Sequence, residues 1–183
     1  MRILVPALLA LPLLAQISPQ DAHVQTLTKA KDWAGLADFI ESLSPKERGR
    51  FLMPWISALN RAGRHERAIQ VCEAVLSQLK DPKDPQVTMA LEFKARSLGS
   101  LGQNADAALA WEALGMLPMF EGMLDNAVVE ARNAHDWTTL ARVAQARGER
   151  SPTMKPFADG WLGEALARQD RFQEAEPVLR AAL

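Results

Sequence analysis

The stretch ALNRAGRHERA occupies residues 58–68 and reads as a helix, a tight turn and a second helix. Gly63 marks the turn, since glycine is enriched just past the C terminus of a helix. Two further stretches repeat the pattern, LGSLGQNADA at residues 98–107 and LARQDRFQEA at residues 166–175. The sequence therefore contains at least three copies of a helix–turn–helix unit.

Two weaker copies match one another, DWAGLA at residues 32–37 and DWTTLA at residues 136–141. One small or apolar residue falls in the first turn of each second helix, at Leu36, Ala68, Ala107, Leu140 and Ala175. These residues follow one another at steps of 32, 39, 33 and 35 residues, and a polar insert at residues 80–84 explains the longest step. Five units result.

These units resemble the tetratricopeptide family, whose repeat of about 34 residues is a pair of antiparallel helices. The resemblance covers roughly residues 18–183, and the last unit matches best, at Leu162, Gly163, Leu166, Ala175, Leu179 and Ala182. The array is divergent, because the chain has no tyrosine and because Leu36 and Leu140 replace the family's alanine. The resemblance implies a right-handed α-solenoid of about five tetratricopeptide-like helix–turn–helix units.

Several helix starts can be read from the sequence. Ser44-Pro45 has a capping serine, a proline at the first helical position and Glu47 placed to reach back, while Asp84-Pro85 and Ser151-Pro152 repeat the combination of cap and proline. Pro54 and Pro177 fall inside predicted helices and are expected to bend them. No run alternates apolar and polar residues for long enough to form a strand, so we predict an all-α fold.

Residues 1–15 have the layout of a secretory signal peptide. Arg2 precedes thirteen residues without a charged or hydrogen-bonding side chain, and polar residues follow from Gln16. This stretch would span about 20 Å as a helix, which is shorter than a membrane core, so we expect no stable membrane span after cleavage. A buried apolar helix is the alternative. We predict a signal peptide at residues 1–15, a helical repeat domain at residues 16–183, and a periplasmic or secreted protein.

Composition argues against several classes of function. The net charge of −1 provides no broad basic surface for nucleic acid. One cysteine and three scattered histidines give no metal-ligand spacing, and no phosphate-binding glycine loop occurs. The pairs His65-Glu66 and His135-Asp136 are assigned to turns, and Cys72 to an inward position as an inert thiol. We therefore expect no metal, no cofactor, no nucleic-acid partner and no catalysis.

In the tetratricopeptide family the first helices line a concave groove that binds partners. The resemblance places the following candidate partner-binding residues there: Asn60, Arg61, Phe93, Arg96, Asn126, Arg132, Asn133, Trp161 and Arg168. Arginine binds carboxylates with two parallel hydrogen bonds, and both arginine and tryptophan are frequent at binding hot spots. A peptide with acidic groups would suit this surface. Alternatively, the arginines form an ordinary solvated face and the tryptophans are core residues.

The leading hypothesis is an exported scaffold or adaptor that binds a protein or peptide through this groove. An RNA-binding repeat of the pentatricopeptide type is the second hypothesis, because that unit has 35 residues and reads one base per repeat. A helical accessory module of an envelope enzyme is the third. The chain also lacks a polar capping helix after Arg180-Ala181-Ala182-Leu183, so self-association through the last helix is a further expectation.

Overall fold

A computed structural model of the chain describes residues 17–79, 81, 84–117 and 120–183. Over these residues the chain forms eleven α-helices and no strand, which confirms the all-α prediction. The helices are α1 Pro19–Ala30, α2 Trp33–Ser42, α3 Pro45–Arg50, α4 Leu52–Arg61, α5 His65–Gln78, α6 Pro85–Ser100, α7 Asn104–Gly115, α8 Leu124–Asn133, α9 Trp137–Arg150, α10 Lys155–Arg168 and α11 Phe172–Ala181. Short 3-10 turns at Glu121–Met123 and Pro152–Met154 precede α8 and α10.

Five of the connections share one backbone device. A residue with positive φ stands two positions before α2, α5, α7, α9 and α11, and these residues are Lys31, Gly63, Gly102, His135 and Asp170. Each turn carries two hydrogen bonds back to the preceding helix; in the first turn, Lys31 N donates to Thr28 O and Asp32 N to Leu27 O. This pairing ends a helix while satisfying its last carbonyls. The spacing of the turns equals that of the sequence repeat.

The five first-turn residues singled out in the sequence are all buried, which explains why they are small or apolar. Their backbone N–H groups also close the first turn of each second helix; Ala68 N, for example, donates to Arg64 O. The residues are Leu36, Ala68, Ala107, Leu140 and Ala175. A larger polar side chain at any of them would lose hydrogen bonds to water on burial.

Each helix packs mainly against its neighbours in the chain. From α4 onwards every helix contacts the next one, α4 also contacts α6, and α7 also contacts α9. The buried residues form two apolar clusters that meet along α6: Met89 and Ala90 belong to the first, Ala95 and Leu98 to the second. Among the described residues, each apolar cluster draws on more than one helix pair.

The predicted helix caps are confirmed at two of three places. Ser44 and Glu47 form a reciprocal capping box, and Asp84 Oδ1 accepts a hydrogen bond from Gln86 N at 2.8 Å. The prediction for Ser151 is wrong, because its side chain caps no helix. Pro152 starts a 3-10 turn, and α10 begins at Lys155 with Pro156 in its first turn.

The sequence predicts a bend at Pro54, and the structure has a break between two helices there instead. Pro54 has no N–H to donate to the carbonyl of Arg50, and the chain breaks at Phe51 into α3 and α4. Pro177 lies inside α11.

The predicted signal peptide at residues 1–15 lies outside the described residues. Among the described helices, none is long and apolar enough to cross a membrane.

Candidate partner-binding surface

The first helices of four successive units, α4, α6, α8 and α10, lie side by side: polar contacts join α4 to α6 and α8 to α10, and a close approach joins α6 to α8. Asn60 Nδ2 of α4 donates to Ser97 Oγ of α6 at 2.8 Å. Arg132 of α8 forms an ion pair with Glu164 of α10 at 3.2 Å. Glu130 of α8 lies against Gly99 of α6. We call the face that these helices share the first-helix surface, and it contains most of the candidate residues from the sequence.

A depression of about 470 Å³ opens on this surface where α4, α6 and α8 meet. Three sequence-predicted residues line it together, Asn60, Arg96 and Asn126. Each comes from a different unit, so the prediction that successive first helices bring their polar residues to one place holds for these three. We call this depression the central pocket. The rest of its wall is formed by Gly99, Ser100, Trp111, Val129 and Glu130.

Two of the predicted arginines are already paired within the protein. Arg96 donates to Glu92 through Nε at 3.1 Å and through a terminal nitrogen at 2.8 Å, and its guanidinium lies 5.8 Å from the ring of Trp111. Arg132 is paired with Glu164. Both arginines remain exposed, so each ion pair contributes little to stability.

The other two arginines lie over tryptophan rings in equivalent places. Arg61, at the end of α4, has its guanidinium carbon 4.6 Å from the ring of Trp33. Arg168, at the end of α10, lies 5.3 Å from the ring of Trp137. Both tryptophans come from the repeated D-W pair, and each contact joins one unit to the next. Neither arginine has a carboxylate partner among the described residues, so both retain an unneutralised charge.

The remaining candidates are dispersed. Phe93 packs against the first apolar cluster and Trp161 against the second, so both are partly buried and serve as packing residues. Asn133 is exposed beside a separate depression of about 350 Å³ at the turn between α6 and α7. These three residues therefore do not line the central pocket.

Glu130 is a central-pocket residue that the sequence did not single out. In the sequence, Glu121, Asp125 and Glu130 read as one solvated acidic stretch. Asp125 instead holds the buried Arg147 at 2.8 Å, while Glu130 faces the pocket, and burial raises the pKa of its carboxyl above the usual range. The sequence does contain a signal for Glu130. It follows Asn126 by four residues, and this spacing places both side chains on one face of α8.

The sequence predicts no reactive role for Cys72, His65 or His135. Cys72 is fully buried, as predicted, and burial raises the pKa of its thiol to about 12, so it stays protonated near neutral pH. His135 occupies its predicted turn, whereas His65 is the first residue of α5 rather than a turn residue. Within the described ranges, no group of three or more histidine, cysteine, aspartate or glutamate side chains could hold a metal ion.

Comparisons of the chain with protein-family models, with curated proteins and with solved structures find no match. Membership of the tetratricopeptide family therefore stays a prediction from the sequence repeat. What the chain binds has to be inferred from the geometry of the first-helix surface.

Proposed function

We propose that the chain is an exported right-handed α-solenoid of five tetratricopeptide-like units, which binds a protein or peptide partner along its first-helix surface and has no catalysis of its own. The observation that carries the proposal is the central pocket, where Asn60, Arg96 and Asn126 converge from three successive first helices. Five equivalent turns and packing between neighbouring helices support the repeat array.

The partner's chemistry follows from the arginines. Arg61 and Arg168 are exposed and lack a carboxylate partner among the described residues, while their tryptophans hold them in place. Guanidinium groups fixed in this way lose less conformational entropy on binding a carboxylate. The partner is therefore a segment with acidic groups that lies across several first helices.

The test is affinity capture from envelope extract of the native host, with a groove variant and a matched control. The groove variant carries Arg96→Ala and Asn126→Ala, which both lie in the central pocket. The control carries Arg180→Ala and Gln173→Ala on α11. Arg180 donates two hydrogen bonds to Glu176, with the same spacing and from the same atoms as Arg96 donates to Glu92, so the control loses an equivalent ion pair away from the pocket.

We expect the parent chain and the control to retain one stoichiometric partner, and the groove variant to lose it at unchanged helicity by circular dichroism. Retention by all three chains, or capture by none of them, would refute binding at this surface.

Export is tested separately. Residues 1–20, fused to a reporter enzyme that becomes active only outside the cytoplasm, should give activity. The same fusion with Leu8→Arg and Leu9→Arg should give none, because charges interrupt the apolar stretch that a signal peptide requires. Equal activity from both fusions would contradict the signal-peptide prediction.

A further inference from the structure

Glu130 differs from the other acidic residues of the first-helix surface because nothing neutralises it. Glu92 is held by Arg96 and Glu164 by Arg132. Glu130, by contrast, has no hydrogen bond or ion pair with any described residue. It is also partly desolvated, which raises the pKa of its carboxyl. A charged group that loses water and gains no partner makes the fold less stable, and such groups are common at binding sites.

Gly99 allows this carboxylate to enter the wall of the central pocket. A Cβ atom at position 99 would stand 3.0 Å from Glu130 Oε1, which is closer than about nine in ten contacts of real Cβ atoms. The glycine lies on α6 and the glutamate on α8, so the close approach depends on how two successive units stack. The absence of a side chain at Gly99 therefore leaves room for the carboxylate beside the pocket.

The polar side chains around Glu130 donate hydrogen bonds to other groups and not to its carboxylate. Asn60 donates its amide nitrogen to Ser97 Oγ, and Ser100 donates its hydroxyl to Arg96 O at 3.0 Å. Asn126 has its amide nitrogen 3.5 Å from Met123 Sδ. The two amide oxygens and the Glu130 carboxylate remain as acceptors. The cation of the pocket, Arg96, is already bound to Glu92.

We propose that the central pocket binds the cationic group of a basic side chain from the partner, an ammonium or a guanidinium, with Glu130 as its counter-charge. An organic cation with several N–H donors matches a pocket that offers a carboxylate and amide oxygens, and the ion pair restores what Glu130 loses by desolvation. The inference rests on the proposed partner-binding function and adds a basic residue, set between the acidic groups that face Arg61 and Arg168.

The test uses small probes that need no knowledge of the partner. N-acetyl-arginine-N-methylamide is titrated into the purified full chain, followed by the backbone amide NMR signals of Gly99, Asn126 and Glu130 and by the indole signal of Trp111. N-acetyl-citrulline-N-methylamide, which has nearly the same shape but no charge, is titrated as the neutral control. We expect the arginine probe to bind about tenfold or more tightly than the citrulline probe, because the pocket supplies one ion pair.

Two variants complete the test. Glu130→Gln keeps the size of the side chain and should abolish the preference for arginine. Glu121→Gln removes an exposed acid without a partner among the described residues, on the 3-10 turn before α8, and should leave the preference unchanged. The inference is overturned if neither probe shifts the pocket signals, if both probes bind equally to the parent, or if the two variants behave alike.

Failure of this inference can be distinguished from failure of the proposed function. If the parent captures its partner and Glu130→Gln captures it equally, the cation site is wrong and the groove function stands. If the arginine probe binds at Glu130 but no partner is captured, the cation site stands and the groove function fails.

Discussion

The helices α5 and α11 occupy the same place in their units and differ sharply in burial. Aligned on the first-turn alanines, Ala68 of α5 corresponds to Ala175 of α11, and Cys72 to Leu179. In α5 the residues Ala68, Val71, Cys72 and Val75 are buried, whereas in α11 Ala175 alone is buried and Leu179 is 40% exposed.

The difference follows from what each helix packs against. α5 lies between α4 and α6 and contacts both, while α11 packs on α10. A second helix of this repeat therefore buries its first turn against its own unit and the rest of its apolar face against the next unit. The comparison teaches that the amphipathic pattern of one unit is completed only by stacking.

The largest expected effect on stability is at Cys72, in the buried face of α5. Cys72→Asp introduces a carboxylate at a fully buried position, which costs on the order of 4 kcal/mol or more and should leave the chain largely unfolded at 25 °C. Leu179→Asp, at the matching exposed position of α11, should cost about 1 kcal/mol. Urea unfolding followed by circular dichroism measures both. Similar losses in the two variants would show that α11 is as enclosed as α5.

Two glycines at helix contacts test the same difference between an enclosed and an exposed neighbour. A Cβ atom on Gly115 would stand 2.7 Å from Leu124 Cγ and 2.9 Å from Leu124 N, and Leu124 is fully buried. Gly115→Ala should therefore cost about 2 kcal/mol, since backbone has to move. In Gly163→Ala the new methyl group meets Leu179, which can turn toward solvent, so we expect a loss of about 1 kcal/mol or less. Thermal melts of both variants give the difference; an equal loss would contradict the distinction.

Alkaline pH probes the burial of α5 through its thiol. Because burial raises the pKa of Cys72 from 9.0 to about 12, the protonated thiol is favoured in the folded chain. The protonated Cys72 thiol makes its full contribution to the free energy of unfolding below pH 9. This contribution is lost as the pH rises toward 12, at about 1.4 kcal/mol per pH unit. The measurement is the free energy of unfolding from pH 8 to 10.5 for the parent and for Cys72→Ala. The same pH dependence in both chains would refute the raised pKa of the Cys72 thiol.

The smallest effect is expected at the exposed end of α11. Phe172 is 61% exposed, so Phe172→Ser should change the free energy of unfolding by no more than about 0.5 kcal/mol. Melting temperatures measured over a hundredfold range of protein concentration are the test. A large loss that depends on concentration would indicate that a second copy covers α11, as the sequence-based expectation of self-association requires.

Most of the fold could be predicted because short stretches of sequence define each helix–turn–helix unit. The five first-turn residues and the turns at Gly63 and Gly102 follow from short stretches of sequence. Pro54 indicates a disturbed helix, but the sequence predicts a bend where the structure has a break at Phe51. The cap predicted at Ser151 is wrong, because Pro156 lies five residues further on and α10 starts only at Lys155.

The site was predictable only in part, because it depends on the register between units. Arg132 meets Glu164 across 32 positions, and Arg142 meets Glu112 across 30. No local sequence pattern predicts these pairings. Hence the arginines looked like free donors in the sequence, and Glu130 looked like part of a solvated acidic face.

The five equivalent turns also bear on how quickly the chain folds. Every turn bond joins residues three or five positions apart, and each helix pair closes around one such turn. Contacts this local require little loop closure before they form, so relaxation toward the native state is expected to be fast for a chain of this length. Any of the five hairpins can begin the process, and a substitution in one turn should slow folding far less than it lowers stability.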